Sequence, residues 1–211
     1  MPESQPAITE SSILKAALKI LRKEGWGGIS ARAIAKKLKC STMPIYSHFT
    51  SMKKLESSLK EESVHKLIEY QLKPYTDNPF LNLSIGYVHF AREEKGLFRF
   101  LFIERPAALS KTQLNRLLKR DIVSRLHELL GVTDMDQSPI NKYFSSFDGD
   151  EIAKIAKHAL IYTHGLAVLV SGGMMKSLND KEITDLLLWS GDAFYRQMER
   201  ELSQQDPGEN E

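Results

Sequence analysis

Several features are missing from the sequence, and each absence excludes a class of function or site. Cys40 is its single cysteine, which excludes an intrachain disulfide and a metal site built on paired cysteines. The GxSxG, GxGxxG, P-loop and HExxH patterns, which are typical of several large enzyme classes, are also missing. We therefore expect no catalytic residues, no metal and no cofactor, and a protein that is not an enzyme.

Membrane and export signals are equally scarce. The longest apolar run, residues 159–170, is interrupted by Thr163, His164 and Gly165. It also falls short of the ~20 residues that are needed to cross a bilayer. The first residues, MPESQPAITESS, contain neither the basic start nor the apolar core of a signal peptide. We expect a cytoplasmic protein with no membrane partner.

Strand signals are rare, and helical patterns fill the chain instead. Apolar residues seldom alternate with polar ones, whereas they recur at helical spacing along most of the sequence. The pattern predicts an all-α fold, with a first helix that begins at Thr9, Ser11 or Ser12 and ends at Gly25. The other predicted elements are helices over Ser51–Lys73, Phe80–Glu94, Leu97–Ile103, Lys111–Leu130, Asp150–Ser171 and Asp180–Gln204, a loop over Gly131–Gly149 and a disordered tail over residues 206–211.

The segment from Ile29 to Leu55 carries the most specific signal in the chain. Its pattern predicts a helix, a tight turn, a second short helix and the start of a third. Ser30 is placed to cap the first helix and Ser41 the second. Such a helix-turn-helix places its second helix in the major groove of DNA. The apolar residues that we expect to be buried are Ile34, Ala35, Leu38, Ile45 and Phe49.

The charge distribution supports a DNA-binding segment at the same place. Residues 1–60 hold 11 basic and 4 acidic side chains, a formal charge of +7. The remaining residues hold 18 and 23, a formal charge of −5. A basic segment on an acidic body favours an anionic partner for that segment, although a solvated charged surface is the alternative. We predict a DNA-binding head over residues 1–50 and a separate body over residues 51–205.

Side chains between the buried positions supply the contacts that we expect with DNA. Arg32 is placed to reach a phosphate or a base edge, Thr42 to hydrogen-bond a base, and Met43 to touch a thymine methyl group. Pro44 lies in the first turn of its helix, where a missing N–H costs little. The predicted DNA-binding residues are Ser30, Arg32, Lys39, Ser41, Thr42, Met43, Pro44, Tyr46, Ser47, His48 and Lys53.

The last two predicted helices are apolar in almost every direction around their axes. In the final helix, one apolar stripe passes through Leu187 and Phe194, and a second contains Leu188 and Trp189. A helix that is apolar all round must be covered on both sides. We predict that a second copy of the chain provides the second cover, which gives a homodimer. Burial inside one chain is the alternative.

These features resemble the TetR family of transcriptional regulators. The resemblance is detailed over residues 9–60 and extends in outline over the rest. It implies a three-helix head, a helical body that dimerises and senses a ligand, and phosphate contacts from Tyr46 and His48. Packing within the head is the other interpretation of those two side chains. The matching residues are Ser30, Arg32, Ile34-Ala35, Tyr46, His48-Phe49 and Leu55.

The chain departs from the family pattern at two positions of the head. Lys39 stands where the family has a turn glycine, and a left-handed backbone there would cost ~1–2 kcal/mol. Met52 stands where a lysine is usual, and we expect its neighbour Lys53 to take over the phosphate contact. Residues 87–102 and 162–173 resemble a C-terminal subtype whose Trp-His-Gly signature reads Thr-His-Gly here.

An aromatic-rich middle segment marks the candidate effector pocket. Small-molecule pockets are apolar clefts with a few polar anchors, and His89, Arg92 or Arg99 is a candidate anchor. His164 is either a ligand partner or a hydrogen-bonded core histidine. Cys40 is either a core residue or a redox switch. The candidate ligand-binding residues are Tyr87, Phe90, Phe98, Phe102, Tyr162 and His164.

The sequence therefore predicts a homodimeric repressor that binds a palindromic operator in double-stranded DNA. An unknown small-molecule effector would release it. One alternative is a constitutive DNA-binding regulator without an effector, which an enclosed cavity in the body would argue against. The other is a small-molecule-binding protein or enzyme with a vestigial head, which DNA binding at low salt would argue against.

Overall fold

The computed structural model describes residues 7–106 and 149–205, and these residues are helical with short connections and no strand. The predicted all-α class is confirmed. A 3-10 turn, Trp26–Gly28, follows the first helix, and a π-helical turn, Phe100–Glu104, follows the sixth. The helices are α1 (Glu10–Glu24), α2 (Ala31–Leu38), α3 (Met43–His48), α4 (Met52–Gln71), α5 (Pro79–Glu93), α6 (Lys95–Arg99), α7 (Gly149–Ser171) and α8 (Asp180–Gln205).

Three predicted elements lie outside the described residues. They are the helix over residues 111–130, the loop that follows it as far as residue 148, and the tail over residues 206–211. Gly149, which was predicted to end that loop, instead opens α7.

Local side-chain chemistry sets both ends of α1. Thr9 and Ser12 form a reciprocal capping box, in which each side chain accepts from the backbone N–H of the other residue. Gly25 ends the helix with a φ of 70°, a conformation that glycine adopts without strain. Thr9 is therefore the cap among the three predicted candidates, and the predicted end at Gly25 is confirmed.

The middle helices differ from their predicted bounds by a few residues. Ser51, where the helix was predicted to begin, caps α4 through its Oγ, which accepts from Lys54 N–H at 3.2 Å. The helix ends at Gln71 rather than Lys73, because Lys73 precedes Pro74 and a residue before proline disfavours the helical conformation. The predicted helix Leu97–Ile103 starts two residues earlier, at Lys95, and changes to a π turn at Phe100.

The described residues group into two compact units. The first holds residues 7–68 and 93–106, and the second holds residues 69–92 and 149–205. The first unit thus combines α1–α3 and most of α4 with α6, a helix that is distant in sequence. The predicted domain boundary at residue 50 stays a prediction.

The core of the second unit forms around α5 and around the α7–α8 pair. Gly86 allows α5 to lie close to the backbone at the end of α4, because a Cβ at Gly86 would lie 2.3 Å from the carbonyl oxygen of Tyr70. Ile155 of α7 and Met198 of α8 are buried together, with Tyr195 and Leu202 packed against them. Within the two described ranges, no helix has the length and apolar content that crossing a membrane requires.

Candidate DNA-binding surface

The first helix of the motif, α2, is fixed by its cap and its buried face. The Ser30 hydroxyl accepts from Ala33 N–H at 3.1 Å, which confirms the predicted cap. Ile34 and Ala35 are buried as predicted, and Leu38 is half-buried. Arg32 lies on the opposite, exposed side of the helix. The burial of one face therefore leaves the Arg32 guanidinium available to an external anion.

The turn after α2 closes on Lys39 in the left-handed conformation. Lys39 has a φ of 55° and a ψ of 42°, and it is the one non-glycine residue with a positive φ in the part of the chain that the structure describes. Its N–H donates to Lys36 O at 3.3 Å, and Cys40 N–H donates to Ala35 O at 3.0 Å. This pair of bonds is a Schellman motif, which usually has glycine at the Lys39 position. The left-handed backbone expected at Lys39 is present, and its side chain is exposed.

The predicted cap of the recognition helix is wrong. Thr42, not Ser41, precedes α3, and the Thr42 side chain makes no capping hydrogen bond. A Ser41 cap would accept from the backbone N–H of the residue two or three positions later. The residue three positions later is Pro44, which has no N–H. The helix instead begins at Met43, where Ile45 N–H donates to the backbone oxygen of Thr42 at 3.1 Å.

The recognition helix α3 buries one side and presents the other. Ile45 and Phe49 are buried as predicted. Met43 and Tyr46 are 75% and 55% exposed, which is high for large apolar side chains. Ser47 is also exposed, and its hydroxyl donates to Met43 O at 3.1 Å. The first turn of α3 therefore presents apolar surface outward from a basic segment.

His48 is engaged within the head. Its Nε2 lies 2.9 Å from the backbone oxygen of Ile8, and because a carbonyl only accepts, Nε2 is the donor. The bond ties the end of α3 to the segment that precedes α1. The ring is half-buried, so its geometry supports the packing interpretation more than a phosphate contact.

The start of α4 adds cationic groups to the first unit. Met52 is half-buried, whereas Lys53 and Lys54 are both exposed. Leu55 and Leu59, on the other side of the helix, are fully buried. The exposed position of Lys53 fits the predicted replacement for the missing family lysine.

The contacts that hold α1 against α6 were not predicted. Glu104 accepts from Trp26 N–H at 2.9 Å, and the Trp26 ring stacks on Phe100 with 5.2 Å between centroids. Arg22 and Glu94 form an ion pair at 2.7 Å. Gly96 lies so close that a Cβ there would be 2.5 Å from Leu21 O. These partners are more than 70 residues apart in sequence, so helical periodicity carries no signal for them.

The six candidate ligand-binding residues are divided between the two units, and their role stays a prediction. Phe98 and Phe102 belong to the first unit, where their rings lie 5.2 Å apart. The other four belong to the second unit, where Phe90 is fully buried and the Tyr162 ring meets Phe194 edge-on. The aromatic content of a segment does not indicate which of its residues belong to which unit.

Two of the candidate ligand-binding residues, Tyr87 and His164, are hydrogen-bonded to each other. The Tyr87 hydroxyl lies 2.9 Å from His164 Nδ1. Burial raises the pKa of Tyr87 and lowers the pKa of His164, so both groups are held neutral. The hydrogen bond therefore joins two neutral groups, and the histidine tautomer sets which of them donates. This is the bonded arrangement that was expected for a core histidine.

The candidate polar anchors are also divided between the units. Arg99 pairs with Glu104 at 3.2 Å in the first unit. Arg92 pairs with Asp180 at 2.7 Å in the second, and His89 Nε2 lies 3.6 Å from the same carboxylate. The hydrogen bond from Arg92 lowers the pKa of Asp180. In the described ranges no group of three or more histidine, cysteine, aspartate or glutamate side chains is arranged to hold a metal ion.

Helices α7 and α8 carry apolar side chains on two sides. The buried side includes Leu166 and Val170 of α7 and Leu187 of α8. On the other side, Ile161 is 64% exposed and Trp189 is 72% exposed. The other large apolar residues exposed on these helices are Leu160, Val168 and Leu188. We call these five exposed residues the α7–α8 apolar surface.

Comparison with known proteins finds a family whose description matches the head. Residues 13–57 match the family described as "Bacterial regulatory proteins, tetR family". The Bacillus subtilis (strain 168) protein named "Uncharacterized HTH-type transcriptional regulator YobS" is 28% identical over 95 residues. That alignment covers 43% of this chain and 50% of the relative, so the similarity spans half of the relative's length.

Solved structures share the fold of nearly the whole chain. A TetR-like transcriptional regulator from Rhodococcus sp. RHA1 matches with a TM-score of 0.57 and 18% identity, covering 90% of this chain and 96% of that one. A protein of unknown function from the same source gives 0.61 and 20%, covering 93% and 98%. A TetR variant from Acinetobacter baumannii AYE in complex with minocycline gives 0.53 and 14%, covering 92% and 98%.

Proposed function

We propose that this chain, whose residues 13–57 form a helix-turn-helix domain of the TetR family, is a dimeric DNA-binding regulator of transcription. One observation carries the proposal: α3 buries Ile45 and Phe49 while Met43 and Tyr46 stand exposed in a basic segment. A recognition helix needs this division, because its inner face fixes its orientation and its outer face enters the major groove.

The exposed side chains divide by chemistry into two kinds of contact. Arg32, Lys39, Tyr46 and Lys53 carry a cation or a hydroxyl that suits a phosphate oxygen, a contact that is independent of sequence. Thr42 and Met43 stand at the start of α3, where base contacts concentrate. Replacing a residue of the first group should weaken binding to all DNA sequences alike. Replacing Met43 should change the preferred sequence.

We further propose that two copies join through the α7–α8 apolar surface. Its five residues are exposed in a single chain, whereas the opposite sides of both helices are buried. A second copy of the same helices would cover it, and two-fold symmetry would present two heads to a palindromic operator. Major-groove half-sites on one face of DNA lie roughly 34–36 Å apart, which sets the required separation of the recognition helices.

The dimer is tested by sedimentation of the wild type and of two substituted chains. Ile161→Asp places a charge on the α7–α8 apolar surface and should give monomers that keep their helical content. Lys15→Asp, on an exposed residue of α1 in the first unit, is the control and should leave the dimer intact. A wild type that sediments as a monomer at micromolar concentration would contradict the proposal.

We also propose that a small apolar or amphipathic effector releases the protein from its operator, so that it acts as a repressor. The support is the fold shared with a protein whose structure holds minocycline. The effector must bind the state with misaligned heads better than the DNA-competent state. A coupling of ~1–3 kcal/mol would weaken operator binding by about 5–150-fold.

The central experiment is selection of DNA fragments from a random pool by the purified full chain. The proposal predicts enrichment of a palindrome whose two half-sites are separated by about one helical turn. Operator affinity is then measured with and without compounds that calorimetry shows to bind. If every such compound leaves the affinity unchanged, the protein is a constitutive regulator. Failure to bind DNA at low salt would contradict the proposed function itself.

A further inference from the structure

The recognition helix lacks the side chains that usually distinguish bases by paired hydrogen bonds. Arginine and lysine bind guanine, and asparagine and glutamine bind adenine, through two adjacent acceptors or donors in the major groove. The residues of α3 are Met-Pro-Ile-Tyr-Ser-His, which include none of the four. Ser41 and Thr42, immediately before the helix, carry one hydroxyl each. Base recognition by this helix must therefore use another contact.

The groups that α3 does present at its start are apolar. Met43 is 75% exposed and Pro44, beside it, is half-exposed. Thr42 adds a methyl group next to its hydroxyl, and its side chain is not used as a helix cap. Ser47 has an exposed hydroxyl that is already bonded to the Met43 backbone. An apolar patch thus stands where the first residues of a recognition helix meet the base edges.

The C5 methyl group of thymine is the largest apolar feature of the major-groove edge. A flexible thioether adapts its shape to such a group, and a threonine methyl also suits it. The charge of +7 on residues 1–60 brings the patch to DNA, because it complements the phosphate backbone without selecting a sequence.

We propose that α3 reads its base pairs chiefly through thymine methyl groups, contacted by Met43 with Thr42 and Pro44 beside it. The proposal rests on the proposed function, since it assumes that α3 enters the major groove. It names the chemistry of the preferred operator: half-sites with thymines facing the first turn of α3.

Uracil substitution tests this directly, because deoxyuridine pairs like thymidine but lacks the methyl group. The operator obtained by selection is remade with uracil in place of each thymine in turn, symmetrically in both half-sites. Burial of one methyl is worth about a fourfold change in affinity, so the symmetric pair should weaken binding about 16-fold. Uracil at thymines outside the half-sites should have little effect.

Two substituted chains assign the effect to the residue. Met43→Ala should bind the thymine and uracil operators with equal affinity, because the contacting group is gone. Met174→Ala, which removes a similarly exposed methionine in the turn after α7, should keep the full preference for thymine.

The possible outcomes distinguish a failure of thymine-methyl recognition from a failure of the proposed DNA-binding function. If the wild type selects an operator but every uracil substitution changes its affinity by less than about twofold, thymine-methyl recognition is wrong and DNA binding stands. A thymine preference that persists in Met43→Ala overturns the assignment to Met43. If no DNA is bound at low salt, both proposals fail.

Discussion

Lys39 combines a strained backbone conformation with a positively charged side chain. Two substitutions at this position test the strain and the charge separately. Its φ of 55° and ψ of 42° place an L-residue in the left-handed region, at a cost of roughly 1–2 kcal/mol. Glycine relieves that cost but loses ~0.5–1 kcal/mol more backbone entropy on folding. Lys39→Gly should therefore raise the free energy of unfolding by about 0.5–1 kcal/mol. Lys39→Ala keeps the strain and should change the stability little.

Both substitutions remove the same cation from the exposed turn. If Lys39 binds a phosphate, each should reduce the slope of log K against log salt by about 0.9 per head, or about 1.8 per dimer. Urea denaturation gives the stability, and operator titration at several salt concentrations gives the slope. Equal stability of the Gly and Ala chains would refute the strain argument. An unchanged slope would refute the phosphate contact.

Three further predictions concern packing, positioning and pH. Gly96→Ala should destabilise the chain by ~1–3 kcal/mol in urea denaturation, because the added Cβ would meet the α1 backbone. Gly27→Ala, which has open space around it, is the control and should not destabilise the chain. Equal stabilities of the two variants would contradict the close packing of Gly96 against α1. His48→Ala should weaken operator binding without changing its salt slope, and His48→Gln, which still carries a donor for the Ile8 oxygen, should restore affinity; a changed slope would instead indicate a phosphate contact. Because burial lowers the pKa of His164, the unfolded chain binds more protons than the folded chain as the pH falls below the ordinary value of 6.5. The free energy of unfolding should therefore decrease through that range, and less so in His164→Gln, which is checked by denaturation between pH 8 and pH 5; identical profiles would exclude His164 as the cause.

The local parts of the fold could be predicted because they depend on neighbouring residues. The Ser30 and Ser51 caps act across three residues, and Ile34 and Ile45 are buried because they repeat at helical spacing. The position of a family glycine marked Lys39 as the residue at which a left-handed turn could form. Each of these features has a short-range cause that a sequence displays.

The errors arose where a distant or competing contact decides the outcome. Ser41 has the right side chain for a cap, but Pro44 removes the N–H that such a cap would bind. Phe98 and Phe102 are in contact in the first unit, a grouping that their aromatic character alone does not indicate, and their ligand-binding role stays a prediction. The Glu104–Trp26 bond joins residues 78 apart, and no local pattern indicates which acid would meet that N–H.

The central claim is that α3 enters DNA, and two exposed methionines allow a direct measurement. Met43 is 75% exposed on α3, and Met174, in the turn after α7, is 79% exposed and serves as the internal control. Peroxide converts exposed methionine to its sulfoxide, and mass spectrometry gives the rate at each position. Saturating operator DNA should slow oxidation of Met43 strongly and leave Met174 unchanged. Oxidation of Met43 at the same rate with and without bound DNA would contradict the account.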